Sequence, residues 1–160
     1  MTYKPIEQRN VIFSITDSKL IADIEKKNSL EQNDDIEAVI LKSLEITSKH
    51  LNFTMSNKNE INPNKLIETK NAHCIGYSSF YIAVIDNILK RKNLEKEWII
   101  THNVGQLYIF SFNIHNYINS SFFKDHDFVT IKNKRTQQEY SIDPTLYDYT
   151  GIVKIKTNVK

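Results

Sequence analysis

Residues 69–90 read TKNAHCIGYSSFYIAVIDNILK, and this stretch decides the fold. A polar run that ends at His73 is followed at once by an apolar segment that begins at Cys74. From there to residue 90, apolar side chains recur at the spacing of one helix face. They are Tyr77, Tyr81, Val84, Ile85 and Ile88, with Phe80 beside them. The pattern predicts a buried amphipathic helix that begins at or just before the cysteine.

After residue 96 the pattern changes to that of β-strands. Segments rich in β-branched and aromatic residues lie at 98–101, 104–112, 127–132, 140–142 and 152–156. Leu107 and Ile109, like Val129 and Ile131, show the two-residue period of a strand with one buried face. The run Asn133-Lys134-Arg135 predicts a hairpin turn between two of these strands. Helices followed by antiparallel strands predict an α+β fold, with the cysteine-bearing helix packed across one face of a small sheet.

The beginning of the chain carries weaker signals. Val11, Phe13 and Ile15 alternate with polar residues, which predicts a short strand within residues 3–16. Residues 18–27 are predicted to form a short helix.

A stronger helix is predicted after the capping residues 33–35, because Ile36, Ile40 and Leu44 fall near helical spacing. The following residues, 52–70, are rich in Asn and predict a long polar connection without regular structure.

Length and charge bound the class of protein. A chain of 160 residues is expected to form a single domain, residues 1–160. Its net charge of +2 gives no support to a nucleic-acid partner, which usually requires a concentrated basic surface. No apolar run approaches a membrane span, and residues 1–10 lack the apolar core of a signal peptide. We therefore expect a cytoplasmic protein with no membrane partner; a removed signal, or secretion without one, stays open.

The single cysteine limits what its sulfur can do. One cysteine cannot form an intrachain disulfide or supply a multi-cysteine zinc site, so Cys74 is either a small buried hydrophobe or a reactive thiol. A helix N-terminus favours the thiolate through its exposed N–H groups and dipole, and the same N–H groups can stabilise an oxyanion. The position of Cys74 at a predicted helix start therefore makes it a candidate nucleophile.

A thiol nucleophile needs a base, and the chain offers five histidines. His50 ends a predicted helix, where a capping role is expected, and His73 adjoins Cys74 in an unfavourable orientation. His102 and His115 lie near strand ends or loops with no visible partner. His126 opens the strand 126–131, which would hold its ring rigidly at the rim of the sheet, as a catalytic base requires. The alternative is a surface histidine.

Asp143 is the candidate third group, which would orient the imidazole. A hairpin that turns at residues 133–136 would bring the end of the Asp143 strand beside the start of the His126 strand. Pro144 ends that strand, so the carboxylate lies at the rim of the sheet. The alternative is an aspartate that only forms a turn before proline.

These motifs together resemble the transglutaminase-like superfamily, which is related to papain. They are the helix start Asn71-Ala72-His73-Cys74-Ile75-Gly76-Tyr77, the strand His126-Asp127-Phe128-Val129 and its partner Ile142-Asp143-Pro144-Thr145. The resemblance covers residues 36–147 and implies a Cys74, His126 and Asp143 triad in the family's order. Ala72 stands where the family usually has glycine, and Asp127 replaces a small residue after the histidine. Neither departure removes a triad group.

The resemblance implies a cysteine acyl-transfer enzyme that acts on an amide in a peptide or protein partner. With no visible acceptor motif, peptide hydrolysis or glutamine deamidation is expected in preference to cross-linking. No cofactor or metal is expected, because the chemistry requires none. Gln106 or Tyr77 could assist the oxyanion, although structural roles are expected for both.

Three alternatives remain at this point. The domain could be a catalytically silent member of the fold that binds a peptide or protein, or an arylamine acetyltransferase-like enzyme, for which the chain is short. It could also be a structural α+β domain without a site. The oligomeric state is left open by the sequence.

Overall fold

A computed structural model describes residues 1–30, 35–55, 60–117 and 125–157. The helices are α1 (Ser18–Leu30), α2 (Ile36–His50), α3 (Pro63–Thr69), α4 (Cys74–Arg91) and α5 (Pro144–Thr150). The strands are β1 (Thr2–Arg9), β2 (Asn52–Phe53), β3 (Asn71–Ala72), β4 (Trp98–Ile109), β5 (Phe112–Asn113), β6 (His126–Asn133), β7 (Glu139–Ile142) and β8 (Lys156–Thr157). The fold is mixed α+β, as the sequence predicts.

One sheet organises the molecule, in the order β7-β6-β4-β1-β8, with the short β5 paired to β4. The pairs β1–β4, β4–β6 and β6–β7 are antiparallel, and β1 pairs with β8 in parallel. A separate parallel pair joins β2 to β3 immediately before α4. The predicted turn between β6 and β7 is confirmed: Asn133 Oδ1 accepts hydrogen bonds from the N–H groups of Arg135 and Thr136.

Helix α4 lies at the centre of the main core, between α2 and the sheet. Its buried residues pack with those of α2 and with Val129, Ile131 and Ile142 of the sheet. A smaller cluster contains Tyr3 and Phe128, with Leu107 and Ile155. In the register of β4 and β6, Phe128 and His126 alternate with Asp127 and Val129, so His126 and Asp127 extend to opposite faces of the sheet.

Two predictions at the beginning of the chain have different outcomes. The helix predicted at 18–27 is confirmed and extends as Ser18–Leu30, and Asp35 caps α2 with its side chain on the N–H of Glu37. A strand does form in the predicted region, residues 3–16, but it is Thr2–Arg9; Val11, Phe13 and Ile15, on which the prediction was based, form no regular element. This first strand is stabilised by its long pairing with β4, and its own sequence shows little apolar alternation.

The prediction that residues 52–70 lack regular structure is wrong. This region contains β2 and the helix α3. Asn62 caps α3 by accepting from the N–H of Asn64, and Pro63 occupies the first turn. Asn and Pro disfavour a helix interior, but they are favoured at its N-cap and first position, where this chain uses them.

The strand segments differ from the prediction at two places. Segments 98–101 and 104–112 form one strand, β4, of 12 residues that ends at Ile109. The segment 152–156 contributes only an isolated bridge at Ile155 and Lys156, the first residue of β8. In the part of the chain that the structure describes, no helix has the length and apolarity needed to cross a lipid bilayer.

Candidate functional site

Cys74 is the first residue of α4 and is 5% exposed. The preceding residue, His73, is the N-cap: its Nδ1 accepts hydrogen bonds from the N–H groups of Ile75 (3.2 Å) and Gly76 (3.4 Å). His73 is therefore a structural cap, in agreement with its expected unsuitability as the base. The β2–β3 pairing anchors the chain just before the cysteine, since the N–H of Thr54 donates to the carbonyl of Ala72 at 2.9 Å.

His126 and Asp143 lie side by side, as the hairpin predicts. Pairing of Val129 with Ile142 places Asp143 just beyond the end of β7, beside the start of β6. His126 Nε2 is 3.0 Å from Asp143 Oδ2. Asp143 is 2% exposed and also caps α5, because its Oδ1 accepts from the N–H of Leu146 at 3.0 Å. The carboxylate is thus fixed at both oxygens.

The electrostatics couple Cys74 to His126. Burial raises the pKa of Cys74, but hydrogen bonding to His126 and to His73, with the charge of His126, outweighs burial and brings this pKa from 9.0 to about 7. Burial lowers the pKa of His126, yet Asp143 and Cys74 more than compensate and leave it well above its ordinary value. Since Nε2 of His126 faces Asp143, Nδ1 is the nitrogen left to act on the sulfur.

The charge on Asp143 is maintained although the residue is buried. Burial raises the pKa of Asp143, while the positive charge and hydrogen bond of His126, the Tyr3 hydroxyl and the N–H of Leu146 lower it below its ordinary value. The structure therefore brings His126 and Asp143 into direct contact, where the charged forms of the imidazole and the carboxylate stabilise each other, and Cys74 is coupled electrostatically to His126.

Tyr3 belongs to this group and was not singled out from the sequence. Its hydroxyl donates to Asp143 Oδ2 at 2.5 Å. Its ring is parallel to that of Phe128 at 4.3 Å and to that of His126 at 6.1 Å between centroids. Residue 3 precedes Asp143 by 140 positions, and only the β1–β4–β6 order of the sheet brings them together.

Asp127 is the second residue that the sequence did not identify as part of the site. Its Oδ1 lies 2.6 Å from Arg9 Nε and 2.9 Å from His102 Nε2. Its Oδ2 lies 3.9 Å from the sulfur of Cys74. The expectation that His102 lies near a strand end or loop without a partner is therefore wrong: His102 is buried within β4, beside this carboxylate.

The remaining candidates lie elsewhere or have other partners. His50 ends α2, and its Nε2 is 2.7 Å from Asp23 Oδ2. The side chain of His115 lies outside the described residues. Tyr77 donates its hydroxyl to Asp148 at 2.8 Å, which agrees with a structural role. Gln106 accepts from Asn113 Nδ2 at 2.8 Å.

A cavity of about 470 Å³ borders the site. His126, Asp143 and Tyr3 form part of its wall. The rest is largely apolar and includes Phe53, Met55, Leu107, Ile114, Leu146 and Tyr149. This size is within the range of small-ligand pockets, and the lining suits a neutral apolar group placed next to the imidazole.

Comparisons of the chain with family models, with curated proteins and with solved structures found no match. Among the described residues, no group of three or more His, Cys, Asp and Glu side chains could hold a metal ion.

Proposed function

We propose that this protein is a cysteine acyl-transfer enzyme of the transglutaminase-like type, acting on an amide of a peptide or protein through Cys74, His126 and Asp143. The observation that carries the proposal is the placement of Cys74 at the start of α4 together with His126, which lies 3.0 Å from Asp143. In this setting the pKa of Cys74 is lowered to about 7, and the pKa of His126 is raised. A thiol that is partly ionised at neutral pH, beside a proton donor, has both groups that amide cleavage needs.

In the first half of the reaction, the Cys74 thiolate attacks the amide carbon and a C–S bond forms. The carbonyl oxygen takes up the negative charge. The N–H groups of Ile75 and Gly76 already donate to His73, so we assign the Cys74 N–H to this oxyanion. Nδ1 of the His126 imidazolium then protonates the leaving nitrogen as the C–N bond breaks.

In the second half, neutral His126 accepts a proton from water, and the resulting hydroxide attacks the thioester carbon. The C–S bond breaks, the acid product leaves and the thiolate is restored beside the imidazolium. If an amine attacked the thioester in place of water, the product would be a cross-link. Hydrolysis and cross-linking are therefore distinguished by whether the site excludes water. We propose hydrolysis, either of a peptide bond or of a glutamine side chain, since no acceptor-site motif is visible in the sequence.

The proposed family rests on the order and placement of three elements. A cysteine opens a helix, a histidine opens a strand of the sheet and an aspartate follows the neighbouring strand. This is the arrangement that the sequence resemblance implies. A cytoplasmic location remains a proposal from the sequence.

One observation favours a different function. Cys74 is 5% exposed, and the cavity wall contains His126 and Asp143 without including the cysteine. If a substrate cannot reach the sulfur, the domain is catalytically silent. The cavity would then serve only to bind a peptide or protein.

The decisive experiment incubates the purified protein with a library of peptides that contain glutamine and apolar residues. New amino termini indicate peptide hydrolysis, and ammonia release without them indicates deamidation. We expect C74A to abolish turnover and H126A to lower it by about 10³-fold. H50A, which removes a histidine–aspartate contact outside the site, should retain activity. Binding of peptides without turnover would support the silent alternative.

A further inference from the structure

A second charged cluster contacts Cys74, apart from the His126–Asp143 pair. Its centre is Asp127, which is 2% exposed. Arg9 Nε and Nη2 lie 2.6 Å from Oδ1 and 3.4 Å from Oδ2 of this carboxylate, and His102 Nε2 lies 2.9 Å from Oδ1. Oδ2 also faces the Cys74 sulfur at 3.9 Å.

The carboxylate of Asp127 is held in its ionised form. Burial alone would raise the pKa of Asp127, but the adjacent His102 and the hydrogen-bonded, positively charged Arg9 outweigh burial and hold the pKa below its ordinary value. An ionised carboxylate can only accept hydrogen bonds. Of the two groups in this contact, Cys74 must therefore supply the proton, and it can do so only as a thiol.

The two contacts of Cys74 act on it in opposite directions. His126, and to a smaller extent His73, favours the thiolate, whereas the negative charge of Asp127 disfavours it. The other titratable groups nearby are His73, the cap of the same helix, and Tyr3 from β1, whose hydroxyl is committed to Asp143. The positive charge of Arg9 offsets part of the negative charge of Asp127. Cys74 in turn helps to raise the pKa of Arg9.

We propose that Asp127 is a positioning residue that holds the Cys74 thiol in a hydrogen-bonded resting state, with Arg9 as the residue that limits its effect. This inference deepens the proposed function, because it assigns a regulator to the same thiol. When the thiol ionises, the S–H bond breaks, its proton passes to solvent and the thiolate forms beside the His126 imidazolium, while Asp127 remains ionised. Asp127, which replaces the small residue that usually follows the histidine in the transglutaminase-like pattern, thus acquires a role.

A purely structural ion pair between Arg9 and Asp127 would affect stability and leave the ionisation of Cys74 unchanged. The test is therefore the pH dependence of Cys74 alkylation by iodoacetamide, measured by mass spectrometry on the folded full-length protein. Asp127→Asn removes the negative charge and keeps the shape. We expect its alkylation midpoint to fall by about one pH unit, a tenfold change in the thiolate-to-thiol ratio.

Arg9→Gln should shift the same midpoint upward, because the charge of Asp127 then acts on the sulfur without compensation. Arg9 is 36% exposed, so its replacement spares the core if Asp127→Asn does not fold. The matched control is Arg91→Gln: Arg91 is 39% exposed and pairs with Glu25 at 3.0 Å, away from the site. This control should leave the midpoint unchanged.

The proposal is overturned if Asp127→Asn leaves the midpoint in place or raises it, or if Arg9→Gln leaves it in place or lowers it. Should Asp127→Asn fail to give a folded protein by circular dichroism, the direction for Arg9→Gln decides alone. The proposed function fails separately: alkylation that is insensitive to His126→Ala would remove the triad, while opposite shifts in the Asp127 and Arg9 variants would still establish their control of the thiol.

Discussion

The hydroxyl of Tyr3 and the carboxylate of Asp143 form a buried hydrogen bond of 2.5 Å that joins the first strand to the start of the last helix. The same oxygen of Asp143 faces His126 Nε2 at 3.0 Å. Oδ2 of Asp143 is therefore in contact with both the Tyr3 hydroxyl and the His126 imidazole. In a simple triad only the imidazole would contact this oxygen, so the Tyr3 hydroxyl adds a second contact that orients the carboxylate.

Replacing Tyr3 with phenylalanine should lower the free energy of unfolding by about 1.5 kcal/mol, because a hydrogen bond to a charged, buried group is lost. Urea denaturation of both proteins measures this difference. Tyr117→Phe is the matched control, since Tyr117 is largely exposed, and it should change stability by less than about 0.5 kcal/mol. Equal effects of the two replacements would show that the Tyr3 hydroxyl contributes nothing specific.

Gly105 should not tolerate a side chain. A Cβ at this position would lie 2.6 Å from a ring atom of Phe128 and 2.8 Å from the backbone oxygen of Lys4. We expect Gly105→Ala to cost about 2 kcal/mol of stability through overpacking, and to disturb His126, its partner across β4 and β6.

Gly151→Ala is an informative comparison. Nothing lies within 4 Å of a Cβ there, but φ is +71°, so only backbone strain of about 1 kcal/mol is expected. Thermal or urea unfolding of the two variants separates the mechanisms. A Gly105 variant as stable as the native protein would contradict the close approach of β1, β4 and β6.

Asp143→Asn should reduce stability in a pH-dependent manner. The pKa of Asp143 is lower in the folded protein than its ordinary 3.8, so its contribution is complete well above pH 3.8 and is lost as the pH falls through that value toward the folded pKa. We expect a deficit of about 2 kcal/mol at pH 7 that shrinks below pH 4. Asparagine keeps the capping oxygen for Leu146, so loss of the cap is not the cause.

Urea midpoints of the native and Asp143→Asn proteins, recorded from pH 7 down to pH 3, measure this deficit. A deficit of constant size across that range would show that the Asp143 charge is not stabilised by His126 and Tyr3.

The parts of the site that rely on local pattern could be predicted from the sequence. Cys74 stands where a polar run meets a periodic apolar segment, and a helix start there follows from side-chain spacing alone. His126 and Asp143 are separated by a hairpin whose turn residues are visible, so their proximity follows from antiparallel pairing.

The rest depends on strand order, which the sequence does not contain. Tyr3 and Arg9 reach the site because β1 pairs with β4, and no spacing rule connects them to Asp143 or Asp127. His102 was predicted to lie near a strand end or loop, but β4 continues through it. In α3, the same Asn and Pro residues that suggested a loop serve as a cap and a first turn.

The central claim, a Cys74 thiol activated by His126, is tested most directly by the pH profile of Cys74 alkylation in the native protein and in His126→Ala. Cys74→Ser is the blank, because the chain contains no other cysteine. We predict a midpoint near pH 7 in the native protein and a midpoint at least about one unit higher in His126→Ala, toward that of an ordinary thiol. A native midpoint near pH 9 that His126→Ala leaves unchanged would contradict the account.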